Sequence, residues 1–153
     1  MPYKLDHLDR ALLRALQQDA SLSQRDLAER VGMSQNACWR RLHALRSAGV
    51  LQGQTVLLDR TAIEMDLTVI VLVKTRHHAK EWLDNFKKVI LSIPNIVDFY
   101  RIAGEYDYML KIVARDMNAF DAIYRKMIEN IDIDTVTSYM AMEAIADNRP
   151  LPL

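Results

Sequence analysis

The sequence predicts an α+β protein in two parts, on three observations. Over the first fifty residues apolar side chains recur at helical spacing, with breaks at Gly32 and Gly49. From Leu67 onward, runs rich in Val, Ile and Thr alternate with two helical stripes. Charge divides the same way: residues 1–60 hold nine Lys+Arg and six Asp+Glu, residues 61–153 eleven and fourteen, so a +3 part precedes a −3 part.

Leu5, Leu8, Leu12, Leu13 and Leu16 fall on one helical face, which predicts a first helix over 5–18. Ser23-Gln24-Arg25-Asp26 opens a second helix in the manner of a capping box, with Asp where Glu is usual. Leu27, Ala28 and Val31 are its buried stripe, and Gly32 supplies the left-handed residue that ends it. Ser34 caps a third helix, whose buried stripe is Cys38, Leu42 and Leu45 and whose stop is Gly49. Val50 to Leu58 has strand character with a turn at Gly53, which suits a wing or a linking hairpin. Residues 59–66 form a polar junction.

Leu67 to Thr75 reads as a strand covered on both faces. Trp82, Phe86, Val89, Ile90 and Ile93 mark a helix that stops at Pro94. Ile96–Ala103 and Tyr106–Ala114 read as strands meeting at Gly104. Asp116 caps a helix with the stripe Phe120, Ile123, Tyr124, Met127, Ile128 and Ile131, and Thr135–Ile145 is a last strand. The order βαββαβ is the ferredoxin-like arrangement, with both helices on one face of the sheet. Ile70, Leu72, Met109, Val113 and Met140 are then expected on the other face, too apolar for water, which calls for a second subunit packed sheet to sheet. The expected organisation is a winged helix-turn-helix over 1–50, a linking strand or hinge over 51–66, and a ferredoxin-like domain over 67–153.

The basic N-terminal part suits a phosphate-bearing partner, double-stranded DNA. Two reading heads of a dimer about 34–36 Å apart would match successive major grooves. Gln35 and Asn36 open the third helix, where side chains reach base edges; either amide can hold adenine bidentately, and Arg40 can pair with guanine or phosphate. Arg41, His43 and Arg46 are expected to meet phosphates or to support the helix. Ser23, Gln24 and Ser34, at the starts of the second and third helices, stand near the DNA backbone in the same reading, Arg25 with them. Trp39 lies between the two faces; packing against the first helix is favoured over a place near the DNA. Cys38 is expected to be a small core residue.

No apolar run approaches the roughly 20 residues of a bilayer span, and Asp6, Asp9 and Arg10 interrupt any signal-peptide pattern. A single cysteine excludes an internal disulfide and fits a reducing cytoplasm. No nucleophile–base pair, metal-ligand cluster or phosphate loop points to an enzyme, and neither a cofactor nor a metal is expected. Adjacent residues of a strand point to opposite sides, so His77 and His78 cannot easily share a metal within one chain. They line a pocket at a subunit junction or form a plain surface turn.

The chain resembles the Lrp/AsnC family of transcriptional regulators along nearly its whole length. Leu5-Asp6-x-x-Asp9-x-x-Leu12-Leu13-x-x-Leu16-Gln17-x-Asp19 is similar to the family's opening helix, and Leu27-Ala28-x-x-Val31-Gly32-Met33-Ser34 to its turn, with Met33 where Leu is usual. Arg41-Leu42-x-x-Leu45-x-x-x-Gly49-Val50-Leu51-x-Gly53 is similar to its recognition helix and wing start. Gly104-Glu105-Tyr106-Asp107-Tyr108 resembles the glycine–aspartate turn of its amino-acid-sensing domain. The family often has Pro-Gly-Val before the last strand, where this chain has Ile131-Asp132-Ile133.

The resemblance implies a DNA-binding regulator that responds to a small amino acid, assembled as a homodimer and then an octamer. Residues alone would make the Gly104 turn a hairpin in which Asp107 caps. With the resemblance, Ala103, Gly104, Glu105, Tyr106 and Asp107 become an effector site: backbone N–H groups for the carboxylate, Asp107 for the ammonium. His78, Ser138 and Met140 are further candidate contacts. Lys74-Thr75-x-His77-His78-x-x-Glu81-Trp82, with the Leu151-Pro152 ending, resembles a subgroup that regulates cysteine detoxification, which makes L-cysteine the implied effector. The competing reading is an architectural DNA-binding protein with a purely structural Gly104 turn.

Overall fold

The computed structural model describes residues 3–77, 79–129 and 131–153. The chain divides into two compact units, one of residues 1–57 and 146–153 and the other of residues 58–145.

Three helices build the first unit: α1 (His7–Gln18), α2 (Gln24–Val31) and α3 (Gln35–Ser47). Each starts where a side chain takes an otherwise unpaired backbone N–H. Before α1, Asp6 accepts from the Asp9 N–H at 2.8 Å and Asp9 accepts from the Asp6 N–H at 3.2 Å, a reciprocal capping box that leaves Leu5 outside the helix. The box expected at Ser23 closes differently. The Ser23 hydroxyl accepts from the Asp26 N–H but donates to the Asp26 carboxylate at 2.6 Å. A serine cap offers a donor of its own and captures that carboxylate; an aspartate cap has none. Gly32 ends α2 at φ +72°, which lets the Met33 N–H reach back to the Ala28 carbonyl at 2.9 Å. Leu12, Ala15, Leu27, Ala28, Cys38 and Leu42 form the core, with Leu16, Leu22, Val31, Met33 and Leu51 against it.

Cys38 is fully buried, as its place on the helix stripe predicts, and burial pushes its thiol pKa up. A thiol reagent added to folded protein at neutral pH should therefore leave Cys38 unmodified over hours and react fully in denaturant. Labelling at the rate of a free thiol would contradict this packing.

Residues 51–58 form neither wing strand nor hairpin. Val56, Leu57 and Leu58 are exposed, and no strand among the described residues pairs with them. Strand character becomes a strand only where a neighbour meets its N–H and C=O groups. Leu151 donates its N–H to the Gln17 side chain at 2.7 Å and accepts from it at 3.2 Å, so residues 146–153 pack with α1 in the first compact unit.

The second unit is βαββαβ: β1 (Leu67–Lys74), α4 (Lys80–Leu91), β2 (Ile96–Arg101), β3 (Tyr108–Ala114), α5 (Met117–Ile128) and β4 (Thr135–Met140). The sheet is antiparallel in the order β2-β3-β1-β4. Val69, Val71, Val73, Leu110 and Ile112 share one buried cluster with Phe86 and Ile90 of α4 and Phe120, Ile123 and Met127 of α5, so both helices cover one face. Asp116 caps α5 as expected. The helix over Trp82 to Ile93 ends earlier, at Leu91, and Ile93 is buried beyond it.

On the uncovered face Ile70, Leu72 and Met109 are half-buried and Tyr100 and Tyr139 exposed. Met140 is not among them. It pairs with Val69, a residue of the helix side, and directly opposed residues point to the same face. β4 also stops short of Ile145, because the Ala141 N–H meets Thr68 near the start of β1 and the partner strand then runs out.

Candidate functional site

Two places gather the residues singled out by the sequence, one in each unit. The first is the outward face of α3. Gln35, Asn36, Arg40 and His43 are all exposed on it. Asn36, Arg40, His43 and Ser47 follow one another at helical spacing, opposite the buried stripe Cys38, Leu42 and Leu45. The Ser34 cap accepts from the Ala37 N–H at 3.2 Å and fixes where the helix begins. The Gln24 side chain donates to the Gln35 carbonyl at 3.2 Å, bracing the start of α3 against the start of α2. The result is a rigid face of amide, guanidinium and imidazole groups, the donors and acceptors that base edges pair with.

Arg41 takes the supporting role. Its Nη1 meets Asp6 at 2.7 Å and Asp9 at 2.8 Å. Asp9 is only 2% exposed, so this ion pair fastens α3 to the start of α1. The Asp9 backbone N–H first, then Arg41, hold the Asp6 carboxyl below its ordinary value, and the Asp6 carboxylate raises Arg41. A carboxyl depressed on folding contributes stability that is present above its unfolded value of 3.8 and lost as pH falls through the lower folded value. Acid titration should accordingly weaken the first unit below about pH 4, and Asp6→Asn should flatten that dependence; an identical acid limb in the variant would exclude Asp6 as a contributor.

Trp39 does not pack on α1. It is 56% exposed and stacks on His43, with ring centroids 5.4 Å apart and planes inclined by 28°.

The second place is one end of the sheet, where three connections meet. β2 and β3 are shorter than expected, so residues 102–107 form a wider turn that includes Tyr106. The Ile102 N–H donates to the Asp107 carbonyl and the Asp107 N–H to Val73 of β1, both at 2.9 Å. Gly104 sits at φ +144°, a conformation open in practice only to glycine, and Ala103, Gly104 and Glu105 are exposed. The Asp107 carboxylate accepts the Thr75 N–H at 2.8 Å through Oδ2. The Asp107 carboxylate thus does not cap its own turn but ties it to the β1–α4 connection. The Tyr106 hydroxyl lies 3.2 Å from the hydroxyl of Thr137.

Several contacts between residues here were missed by sequence reasoning. Thr75 is 6% exposed and its hydroxyl accepts the His77 N–H. His77 Nε2 lies 2.8 Å from the Asp132 carboxylate, Trp82 donates its indole N–H to the Asp132 carbonyl, and Arg76 pairs with Asp134. The Ile131-Asp132-Ile133 connection is therefore held by His77 of the β1–α4 connection and Trp82 of α4. Trp82 stacks on Phe86, which touches Phe99 and Tyr108, so an aromatic cluster supports this end of the sheet from below. Only their position in the sequence between elements hinted at such roles.

Ser138 and Met140 are not brought to the turn. They pair with Val71 and Val69 on the helix-side face, whereas Tyr106 reaches the alternate residue, Thr137. His78 lies outside the described residues. Among the described residues no group of three or more His, Cys, Asp or Glu could hold a metal ion, and no helix is long and apolar enough to cross a membrane.

Known proteins resemble both units. A winged helix-turn-helix DNA-binding family matches residues 5–52, and the Lrp/AsnC ligand binding domain matches residues 68–151. The DNA-binding transcriptional activator DecR of Escherichia coli K12 is 41% identical over 150 residues, covering 97% of this chain and 99% of that protein. The glutamate uptake regulatory protein of Zymomonas mobilis is 36% identical, covering 98% and 92%. A crystal structure of an AsnC family transcriptional regulator from Agrobacterium tumefaciens superposes with a TM-score of 0.93 at 42% identity, covering 97% of each chain. A Neisseria meningitidis transcriptional regulator in complex with L-Met superposes with a TM-score of 0.90 at 28% identity, again over 97% of each.

Proposed function

Since the chain belongs to the Lrp/AsnC family, as a DNA-binding transcriptional regulator with an amino-acid-binding domain and not an enzyme, we propose how its residues divide that work. Gln35, Asn36 and Arg40 read base edges in the major groove. Ser23, Ser34 and His43 lie along the phosphates, with the starts of α2 and α3 aimed at them. The observation that carries this is the exposed face of α3, fixed at both its start and its middle by Gln24, Ser34 and Arg41.

A small amino acid binds at the Ala103–Asp107 turn. Backbone N–H groups there take its carboxylate, and Asp107, with Oδ2 already on Thr75, meets the ammonium group through its remaining oxygen. L-cysteine is the first ligand to try, on the likeness of residues 74–82 to the cysteine-detoxification subgroup; L-methionine follows, from the L-Met complex of the Neisseria regulator, and L-glutamate, from the glutamate uptake named for the Zymomonas relative. Binding acts through its different affinity for two assemblies of a dimer that builds to an octamer. The work is done in the cytoplasm.

One observation favours a second reading, an architectural protein with no effector: Asp107 already has a structural partner in Thr75. Asp107→Asn separates the two. Asparagine keeps an oxygen for the Thr75 N–H but loses the charge. Fluorescence anisotropy on DNA from the protein's own upstream region should show binding shifted by one L-amino acid. In Asp107→Asn that ligand should be needed at tenfold or higher concentration, about 1.4 kcal/mol or more, with basal DNA binding and thermal stability kept. An unchanged response would remove Asp107 from the site, and a wild type unmoved by any amino acid would favour the architectural reading.

A further inference from the structure

Trp39 stands beside the face of α3 that carries Asn36, Arg40 and His43, and more than half of it is exposed. The core does not use it: Cys38, Leu42 and Leu45 already make the inward contacts of this helix. Yet the ring is not loose. His43, one turn on, stacks against it at 5.4 Å. A large apolar plane is thus held at the edge of the polar, base-pairing groups, stacked on one of them. Left in water this arrangement wastes its apolar surface; against DNA it has one specific complement. The apolar group that a base edge offers in the major groove is the C5-methyl of thymine.

We propose that Trp39, held by His43, reads thymine methyl groups in the target DNA. Asn36 and Arg40 supply the polar half of recognition, Trp39 the apolar half, and His43 is a positioning residue that keeps the indole at one angle. This rests on α3 being the DNA-reading helix.

Deoxyuridine lacks only that methyl and keeps every hydrogen-bonding atom of thymine, so it isolates the contact. The full-length protein is titrated onto its specific duplex and onto duplexes with single thymine-to-deoxyuridine replacements. Wild type should lose about fourfold in affinity at one or more positions, the value of one buried methyl-sized group. Trp39→Ala should bind the specific duplex more weakly and lose nothing further at those positions. Trp39→Phe, with a smaller ring, should retain part of the sensitivity. His43→Ala should blunt the sensitivity; loss of its phosphate contact lowers affinity equally on the thymine and deoxyuridine duplexes, so the ratio between them is the readout. Wild-type affinity indifferent to every replacement would overturn the proposal, as would a Trp39→Ala protein still sensitive to them. A Trp39→Ala loss equal on specific and random DNA would also overturn it, marking a sugar–phosphate contact. Arg40→Ala run alongside separates the premises: if it relaxes specificity while deoxyuridine has no effect, α3 reads DNA and Trp39 does not read methyls; if it has no effect either, both readings fall.

Discussion

Arg41→Ala is expected to destabilise the first unit by about 3 kcal/mol, the cost of leaving a buried carboxylate without its cation. Asp9 is 2% exposed and Arg41 is its ion-pair partner. Arg41 itself keeps a side-chain exposure of 29%, so solvent already screens part of the pair and the lower end of the range applies. For a unit of this size the transition should fall by about 12 °C or more. Calorimetry would show a lower first transition and an unmoved second one. Arg41→Lys should recover much of the loss, because one nitrogen, Nη1, meets both Asp6 and Asp9 and an ammonium also carries several donors on one nitrogen. Adding Asp9→Asn to Arg41→Ala should recover stability, since the neutral amide tolerates burial that the lone charge does not. If the first transition did not move, the ion pair would be ornamental, and the bracing of α3 would have to come from Gln24 and the core.

The second large effect is on DNA. Arg40→Ala should weaken specific binding by about 1–3 kcal/mol, roughly 5- to 150-fold, while leaving thermal stability within about 0.5 kcal/mol. The residue is exposed on α3, so folding has little to lose. If Arg40 meets a guanine, the preference at that base should relax and non-specific affinity should barely change. If it meets a phosphate, affinity should fall on all sequences and the salt dependence should shallow by about one unit. Specific affinity equal to wild type would remove Arg40 from the interface. Arg40 and Arg41 are neighbours in sequence with opposite expected consequences, one on binding and one on stability, and comparing them tests the assignment of the two faces of α3.

Those two arginines also show what periodicity reaches. The buried stripe of α3 and the caps Ser34 and Asp116 were legible because each depends on residues close by in the chain. The βαββαβ order was legible because each element is long and strongly patterned. Arg41 was ambiguous because its partners lie far upstream, at Asp6 and Asp9, where nothing local points to them. Strand ends were overextended at Ala103, Tyr106 and Ile145 for a related reason. A strand ends where its neighbour ends, and that length is a property of the pair. Met140 was expected on the uncovered face, but a residue's side is set by register against β1, not by its own type. Trp39 was misread as packing because an indole usually finds a core; here the helix had already filled it.

The Gln17–Leu151 pair gives the C-terminal tail the character of a tethered ligand. Two hydrogen bonds in exposed surroundings would not hold a free peptide at ordinary concentration. Covalent attachment replaces that concentration with an effective one, in the millimolar range for short flexible connections and steeply dependent on where the tether starts. The tether here starts at the second unit, at residue 145. Attachment, more than the strength of two hydrogen bonds, therefore keeps Leu151 on Gln17.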